Sequence, residues 1–134
     1  MSRIESPQDQ PESGDVLFTE RELDVMGVLW ELSSGTVADV KERLQDPLAY
    51  TTVLTVLRTL EDKGYVGHEE EGRAYRYYPL VERDQAQESA LRRLVQKLFS
   101  GSTELLLTHL VADQGMSERE LKHLRKLVED RLES

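Results

Sequence analysis

Apolar residues recur at helical spacing in three short runs, switch to an aromatic-rich alternation, and then return to helical spacing for the rest of the chain. The first run is Leu23, Met26, Val28, Leu29, Trp30 and Leu32, a broad apolar face of the kind an amphipathic helix buries. Ahead of it, Thr19-Glu20-Arg21-Glu22 has the form of a capping box, in which hydroxyl and carboxylate reciprocally satisfy orphan backbone N–H groups. Ser33-Ser34-Gly35 stops this helix. Thr36, with Asp39 three residues on, caps a second helix whose Val37, Val40 and Leu44 face inward and which ends at Asp46-Pro47. A third runs from about Tyr50 to Lys63, with Val53, Val56, Leu57 and Leu60 on one side. Gly64 is placed for a left-handed C-terminal cap.

Tyr65–Glu69 and Arg73–Tyr78 then read as two strands joined by a Glu70-Glu71-Gly72 turn, with Pro79 closing the second. Three helices followed by a hairpin is the winged-helix order. Beyond Val81 the helical period resumes. Leu91, Leu94, Val95 and Leu98 form one stripe, broken at Ser100-Gly101-Ser102. Leu105, Leu106, Leu110 and Val111 form another, ended by Gln114-Gly115. A capping box at Ser117-Glu118-Arg119-Glu120 opens a last helix carrying Leu121, Leu124, Leu127, Val128 and Leu132.

Three short helices do not easily bury such stripes alone, because a core needs a second packed layer. A second copy of the segment supplies it, and two-fold dimers are the commonest soluble oligomers. Leu91, Leu94, Leu98, Leu106, Leu110, Leu121, Leu124 and Val128 are the expected dimerisation residues. The pattern thus predicts a mainly α fold with a small β-hairpin wing: a disordered tail over 1–16, a winged helix-turn-helix DNA-binding domain over 17–81, and a helical dimerisation domain over 82–134.

Composition narrows the chemistry. Without cysteine, the chain has no disulfide, thiolate metal site or cysteine nucleophile. His68, His109 and His123 are scattered and form no ligand-like pair, so no metal is expected. GxGxxG, GxxxxGK[ST] and HExxH are all absent, and no catalytic constellation or cofactor site is read. With neither a long apolar span nor a signal-like N-terminus, the expected location is the cytoplasm.

The formal net charge of −9 opposes a nucleic-acid partner, since phosphate neutralisation dominates non-specific DNA affinity. Residues 1–81 carry 8 Lys+Arg against 16 Asp+Glu, so the excess acid lies in the half assigned to DNA. Yet Pro47 to Leu60 holds no carboxylate, and Arg58 is its one charge.

In a helix-turn-helix the second helix of the pair enters the major groove. Once the core face of that helix is subtracted, Tyr50, Thr51, Thr52, Thr55, Arg58, Thr59 and Asp62 remain outside. Threonine hydroxyls bond phosphates or base edges, threonine methyls touch the thymine methyl, and Arg58 suits guanine or a phosphate. So many β-branched residues are a poor choice for a merely solvated helix. Weak non-specific binding is expected, with specific binding that needs both halves of a palindromic site.

The run Ala49-Tyr50-Thr51-Thr52-Val53-Leu54-Thr55-Val56-Leu57-Arg58-Thr59-Leu60-Glu61-Asp62-Lys63-Gly64-Tyr65-Val66 resembles the recognition helix of the penicillinase-repressor family (BlaI/MecI/CopY). Leu17 to Met26 with Val28-Leu29-Trp30 resembles that family's first helix, and Tyr75 to Val81 the end of its wing. The Phe99-Ser100-Gly101-Ser102 break and the Met116 to Leu121 start also fit, so the likeness spans about residues 16 to 133.

The resemblance implies a cytoplasmic homodimeric repressor on palindromic double-stranded operators. It implies operator contacts at Thr52, Thr55 and Arg58, with Arg73 and Tyr75 on the wing. It also implies a membrane sensor-protease as partner, cutting an Asn-Phe bond in the penultimate helix. The matching stretch here is Thr108-His109-Leu110-Val111, which has neither residue. Copper sensing through C-terminal thiolates is excluded by the lack of cysteine, and Glu69-Glu70-Glu71 makes this wing more acidic than its relatives'. The function expected is transcriptional repression; the alternative is a winged-helix protein-interaction module without DNA binding.

Overall fold

The computed structural model describes residues 16–134, so the expected tail over 1–16 lies outside the described residues except for Val16. The elements are α1 (Glu20–Leu32), β1 (Gly35–Thr36), α2 (Val37–Arg43), α3 (Tyr50–Asp62), β2 (Val66–Glu71), β3 (Ala74–Pro79), α4 (Arg83–Leu98), α5 (Thr103–Ala112) and α6 (Glu118–Glu133). This is the mainly helical fold with a small antiparallel wing that the periodicity predicts. Packing divides it into a first unit ending at Ala90 and a second of Leu91–Ser134, with α4 contributing to both.

Thr19 caps α1 as its sequence demands: its hydroxyl accepts from the Glu22 N–H at 3.1 Å, and its own N–H donates to Glu22 Oε1 at 2.8 Å. α1 buries most of the expected face, with Met26, Val28 and Leu29 in the core and Trp30 and Leu32 packed against it, but it exchanges Leu23 for Val25. Val25, Met26 and Leu29 are fully buried, whereas Leu23 is exposed. The cause is Glu22, which continues the buried stripe by one turn and is itself only 4% exposed. Its carboxylate takes two short contacts from Lys63 Nζ, at 2.9 and 2.8 Å, at the far end of α3. A buried charge is tolerated when it is paired and hydrogen-bonded, and here both conditions hold.

The end of α3 is fixed by backbone geometry. Gly64 adopts φ +83°, the left-handed conformation that costs glycine nothing. The Tyr65 N–H then reaches Leu60 O and the Gly64 N–H reaches Glu61 O, both at 2.9 Å, which is a Schellman cap. Leu60 and Tyr65 are both buried beside it.

Two features of the sheet depart from expectation. Gly35-Thr36, read as a helix stop and cap, also forms β1, which pairs with β3 and gives a three-stranded sheet in the order β1-β3-β2. The hairpin is longer than expected, because its turn is Gly72-Arg73 rather than Glu70-Glu71-Gly72. Gly72 has φ +62° while Arg73 does not, the requirement of a tight two-residue turn led by glycine. Glu70 and Glu71 are therefore strand residues, opposite Tyr75 and Ala74.

The core joins Val25, Met26 and Leu29 of α1 to Val40 of α2, to Val53, Leu57 and Leu60 of α3, and to Val66 and Tyr77 of the sheet. Its boundary runs past Val81. Ala86 is buried with this cluster, and the Ser89 hydroxyl accepts from Val16 N–H at 2.9 Å and donates to Val16 O at 3.1 Å. Val16 is thereby a buried residue rather than the end of a tail. Trp30 closes this side, donating from Nε1 to Val81 O at 2.8 Å, with Arg83 5.5 Å over its ring.

In the second unit, α4 stops where Ser100 and Gly101 both take positive φ. Ser102 caps α5, and Ser117 with Glu120 forms the expected capping box of α6. Within one chain, no described residue of Leu91–Ser134 is buried.

Substituting Lys63→Met strands the Glu22 carboxylate in the core with only its capping N–H. We expect a loss of about 1–3 kcal/mol in unfolding free energy by urea denaturation, with the native helix content unchanged.

Candidate nucleic-acid interface

The rotation of α3 about its axis is set by Val53, Leu57 and Leu60, none of which is accessible to solvent. The opposite face follows from the period of the helix. Tyr50, Thr51, Thr52, Thr55 and Arg58 are exposed there, while Thr59 is half-buried. The Thr55 hydroxyl donates to Thr51 O at 2.9 Å. Its hydrogen is thus engaged, leaving the oxygen as an acceptor and the methyl as an apolar contact.

The start of α3 differs chemically from the starts of α1, α2 and α6. Those three have full capping boxes, whereas Ala49 provides no side-chain cap and the first turn of α3 carries no acid. Its leading N–H groups therefore keep their capacity to donate to an anion.

Several carboxylates around this face are held by partners. Arg21 Nη1 lies 3.7 Å from Asp46 Oδ2, just ahead of α3. Glu61 accepts from His68 Nδ1 at 2.6 Å. Arg76 grips Glu71 with two contacts, Nε to Oε1 at 2.6 Å and Nη2 to Oε2 at 3.1 Å, and lies 3.6 Å from Asp39 Oδ2. The Arg76 hydrogen bond and charge pull the Glu71 carboxyl below its usual range, and Glu71 raises the guanidinium in return. Asp39 is lowered first by the Thr36 backbone N–H it accepts, and then by the Thr36 hydroxyl and the Arg76 charge. Asp62, Glu69 and Glu70 have no such partner among the described residues.

Lys41, Arg58 and Arg73, by contrast, stand exposed with no carboxylate within 4 Å among the described residues. Arg58 is on α3, Arg73 in the turn of the wing, and Lys41 with Arg43 in the last turn of α2. Lys41 and Arg43 follow Val37 and Val40 by four and three residues, the spacing of the buried side, so their exposure is not legible in the sequence.

On the wing, Tyr75 is exposed and stacks on His68, ring centroids 4.1 Å apart and planes 20° off parallel. His68 reaches Glu61, so this stack ties the wing to the end of α3. Tyr77 lies buried beneath, and burial, with the nearby Glu61 charge, pushes its phenol pKa up. The structure thus brings the α3 candidates onto one face and puts Arg73 and Tyr75 on the hairpin. Among the described residues no group of His, Cys, Asp and Glu is arranged to hold a metal ion, and no helix is long and apolar enough to cross a membrane.

A family model described as penicillinase repressor matches residues 18–130. The transcriptional regulator BlaI of Mycobacterium tuberculosis is 39% identical over 98 residues, covering 70% of this chain and 71% of that protein. The methicillin resistance regulatory protein MecI of Staphylococcus aureus is 21% identical over 113 residues, covering 83% and 92%. A solution structure of the DNA-binding domain of the repressor BlaI aligns with a TM-score of 0.47 at 31% identity, covering 51% of this chain and 85% of that one.

The Glu71–Arg76 pair has a defined pH signature. Because the folded carboxyl is lowered, its stabilisation is present above the ordinary glutamate range and is lost as pH falls through the lowered value. Wild type should melt slightly above Glu71→Gln at neutral pH, and calorimetry should show the gap closing only once the pH falls below the ordinary glutamate range.

Proposed function

The chain belongs to the penicillinase repressor family, and we propose that this DNA-binding transcriptional repressor works as a homodimer on a palindromic operator. It is a regulator and not an enzyme. The observation that carries the operator reading is the outward face of α3, where Tyr50, Thr51, Thr52, Thr55 and Arg58 stand exposed around a helix start without a side-chain cap.

In this reading α3 enters the major groove, and its first N–H groups donate to a backbone phosphate that fixes the register. Thr51, Thr52 and Thr55 meet base edges and thymine methyls, Tyr50 and Thr59 flank them, and Arg58 forks onto guanine. Lys41 and Arg43 lie on α2, the helix that crosses the backbone in this motif. Arg73 and Tyr75 approach from the wing. Two α3 helices about 34–36 Å apart would meet successive turns of the duplex.

The dimer is supported by the second unit. Leu98 is 68% exposed and Val128 52% exposed in the single chain, alongside exposed Leu91, Leu94 and Leu110 and half-buried Leu106, Leu121 and Leu124. Stripes of this size on three consecutive helices are what a second copy would cover. The repressor is proposed to act in the cytoplasm. If a membrane sensor-protease is a partner, it meets no Asn-Phe bond at Thr108 to Val111 on α5, and release by cleavage there is not part of the reading.

Selection of bound duplexes from random sequence, followed by footprinting, tests the reading. A two-fold site is expected, whereas recovery of no duplex would favour the protein-interaction module instead. Arg58→Ala should weaken the selected site by about 1–3 kcal/mol and relax preference at one base pair per half-site. An equal loss on every sequence would reassign Arg58 to phosphate.

Leu124→Asp should shift the protein to monomer in sedimentation and reduce operator affinity by removing the second half-site's contribution. A dimer unchanged by the substitution would take Leu124 out of the interface.

A further inference from the structure

Arg76 sits on the central strand of the sheet, opposite Thr36 of β1 and Glu69 of β2. Its guanidinium reaches in two directions at once. On the wing it forks onto Glu71, and towards the start of α2 it donates to Ser34 Oγ at 3.3 Å and lies near Asp39. Glu71, the last residue of β2, adjoins the Gly72-Arg73 turn, so this one side chain ties the tip of the hairpin to the segment that leads into the helix-turn-helix.

The arrangement bears on how an acidic wing meets a polyanion. Strand alternation puts Glu69 and Glu71 on the same face as Arg76. A free carboxylate at position 71 would stand two residues from Arg73 and would repel any phosphate that Arg73 approached from the wing. Pinned by two charge-assisted hydrogen bonds, it is drawn back and its charge is offset. The pair is exposed, at 34% for Arg76 and 55% for Glu71, and pairs of that kind contribute little to folding. Its value lies elsewhere.

We infer that Arg76 is a positioning residue for DNA binding, which holds Glu71 back from the duplex and fixes the wing tip so that Arg73 faces the phosphates. The inference rests on the operator reading above. It assigns Arg76 no contact with DNA: its guanidinium is committed to Glu71, Asp39 and Ser34.

A double-substitution cycle tests this, using the full chain and the duplex that wild type selects from random sequence. Arg76→Met should weaken binding about tenfold, as expected when a like charge is brought against the partner. Glu71→Gln alone should leave affinity within about threefold of wild type. The decisive variant is the double substitution, which should recover most of the loss because the offending carboxylate is gone. Thermal melting of each variant is read alongside and should stay close to wild type.

If Arg76 instead touches phosphate, Glu71→Gln frees it and tightens binding, and the double variant stays weak. That result overturns the inference, as does an Arg76→Met protein that binds normally. Should Arg76→Met fold poorly, the double variant compared with Glu71→Gln decides: similar affinities support the role, and a tenfold deficit refutes it. Failure of wild type to select any duplex sinks the operator reading itself, a separate outcome.

Discussion

Val53, Leu57 and Leu60 fix the rotation of α3 by being wholly inaccessible, and the identity of the outward face depends on that setting. A helix turned by one residue, about 100°, would bury part of the threonine and Arg58 face and bring core leucines towards solvent. Two further restraints stop such drift. Lys63, at the C-cap, is tied to the buried Glu22 carboxylate of α1, and Gly64 ends the helix in a Schellman cap that hands the chain to the wing. The same carboxylate caps α1 through Thr19, so one side chain sets the start of the first helix and the end of the third.

An acidic chain that binds DNA has to place its charge with care, and here the placement is local. α3 has no carboxylate before Glu61. Several acids around it are engaged, Asp46 by Arg21, Glu61 by His68, Glu71 and Asp39 by Arg76. Lys41, Arg58 and Arg73 are left uncommitted among the described residues. Net charge governs long-range steering, whereas docked contacts depend on the groups within a Debye length of roughly 8–10 Å. The acid that remains costs association rate more than it costs the final fit.

Much of this was legible in the sequence, because capping boxes and helical periods are local. Thr19 with Glu22, Thr36 with Asp39 and Ser117 with Glu120 all form the caps their spacing predicts. The aromatic alternation located the wing. What stayed hidden depends on partners far along the chain. Glu22 reads as a solvated acid until Lys63, 41 residues away, is placed beside it, and so the sequence pattern favours Leu23 over Val25 as a core residue. Gly35-Thr36 is too short to announce a strand and becomes one only against Tyr77 and Arg76. The glutamate run looked like a turn because charge suggested solvent, whereas Gly72 alone carries the positive φ that reverses the chain. Nothing in the sequence singles out Arg76, since its neighbours Ser34 and Asp39 lie across the fold.

Leu91–Ser134 buries no side chain of its own, and short helices without a packed face are marginal in water. If a second copy covers them, their order is a function of protein abundance, because association stabilises by mass action. Occupancy of the promoter would then rise more steeply than in proportion to copy number. As each division dilutes the pool, the cell would lose paired, operator-competent molecules faster than it loses chains, and silencing would have a threshold without any inducer being bound.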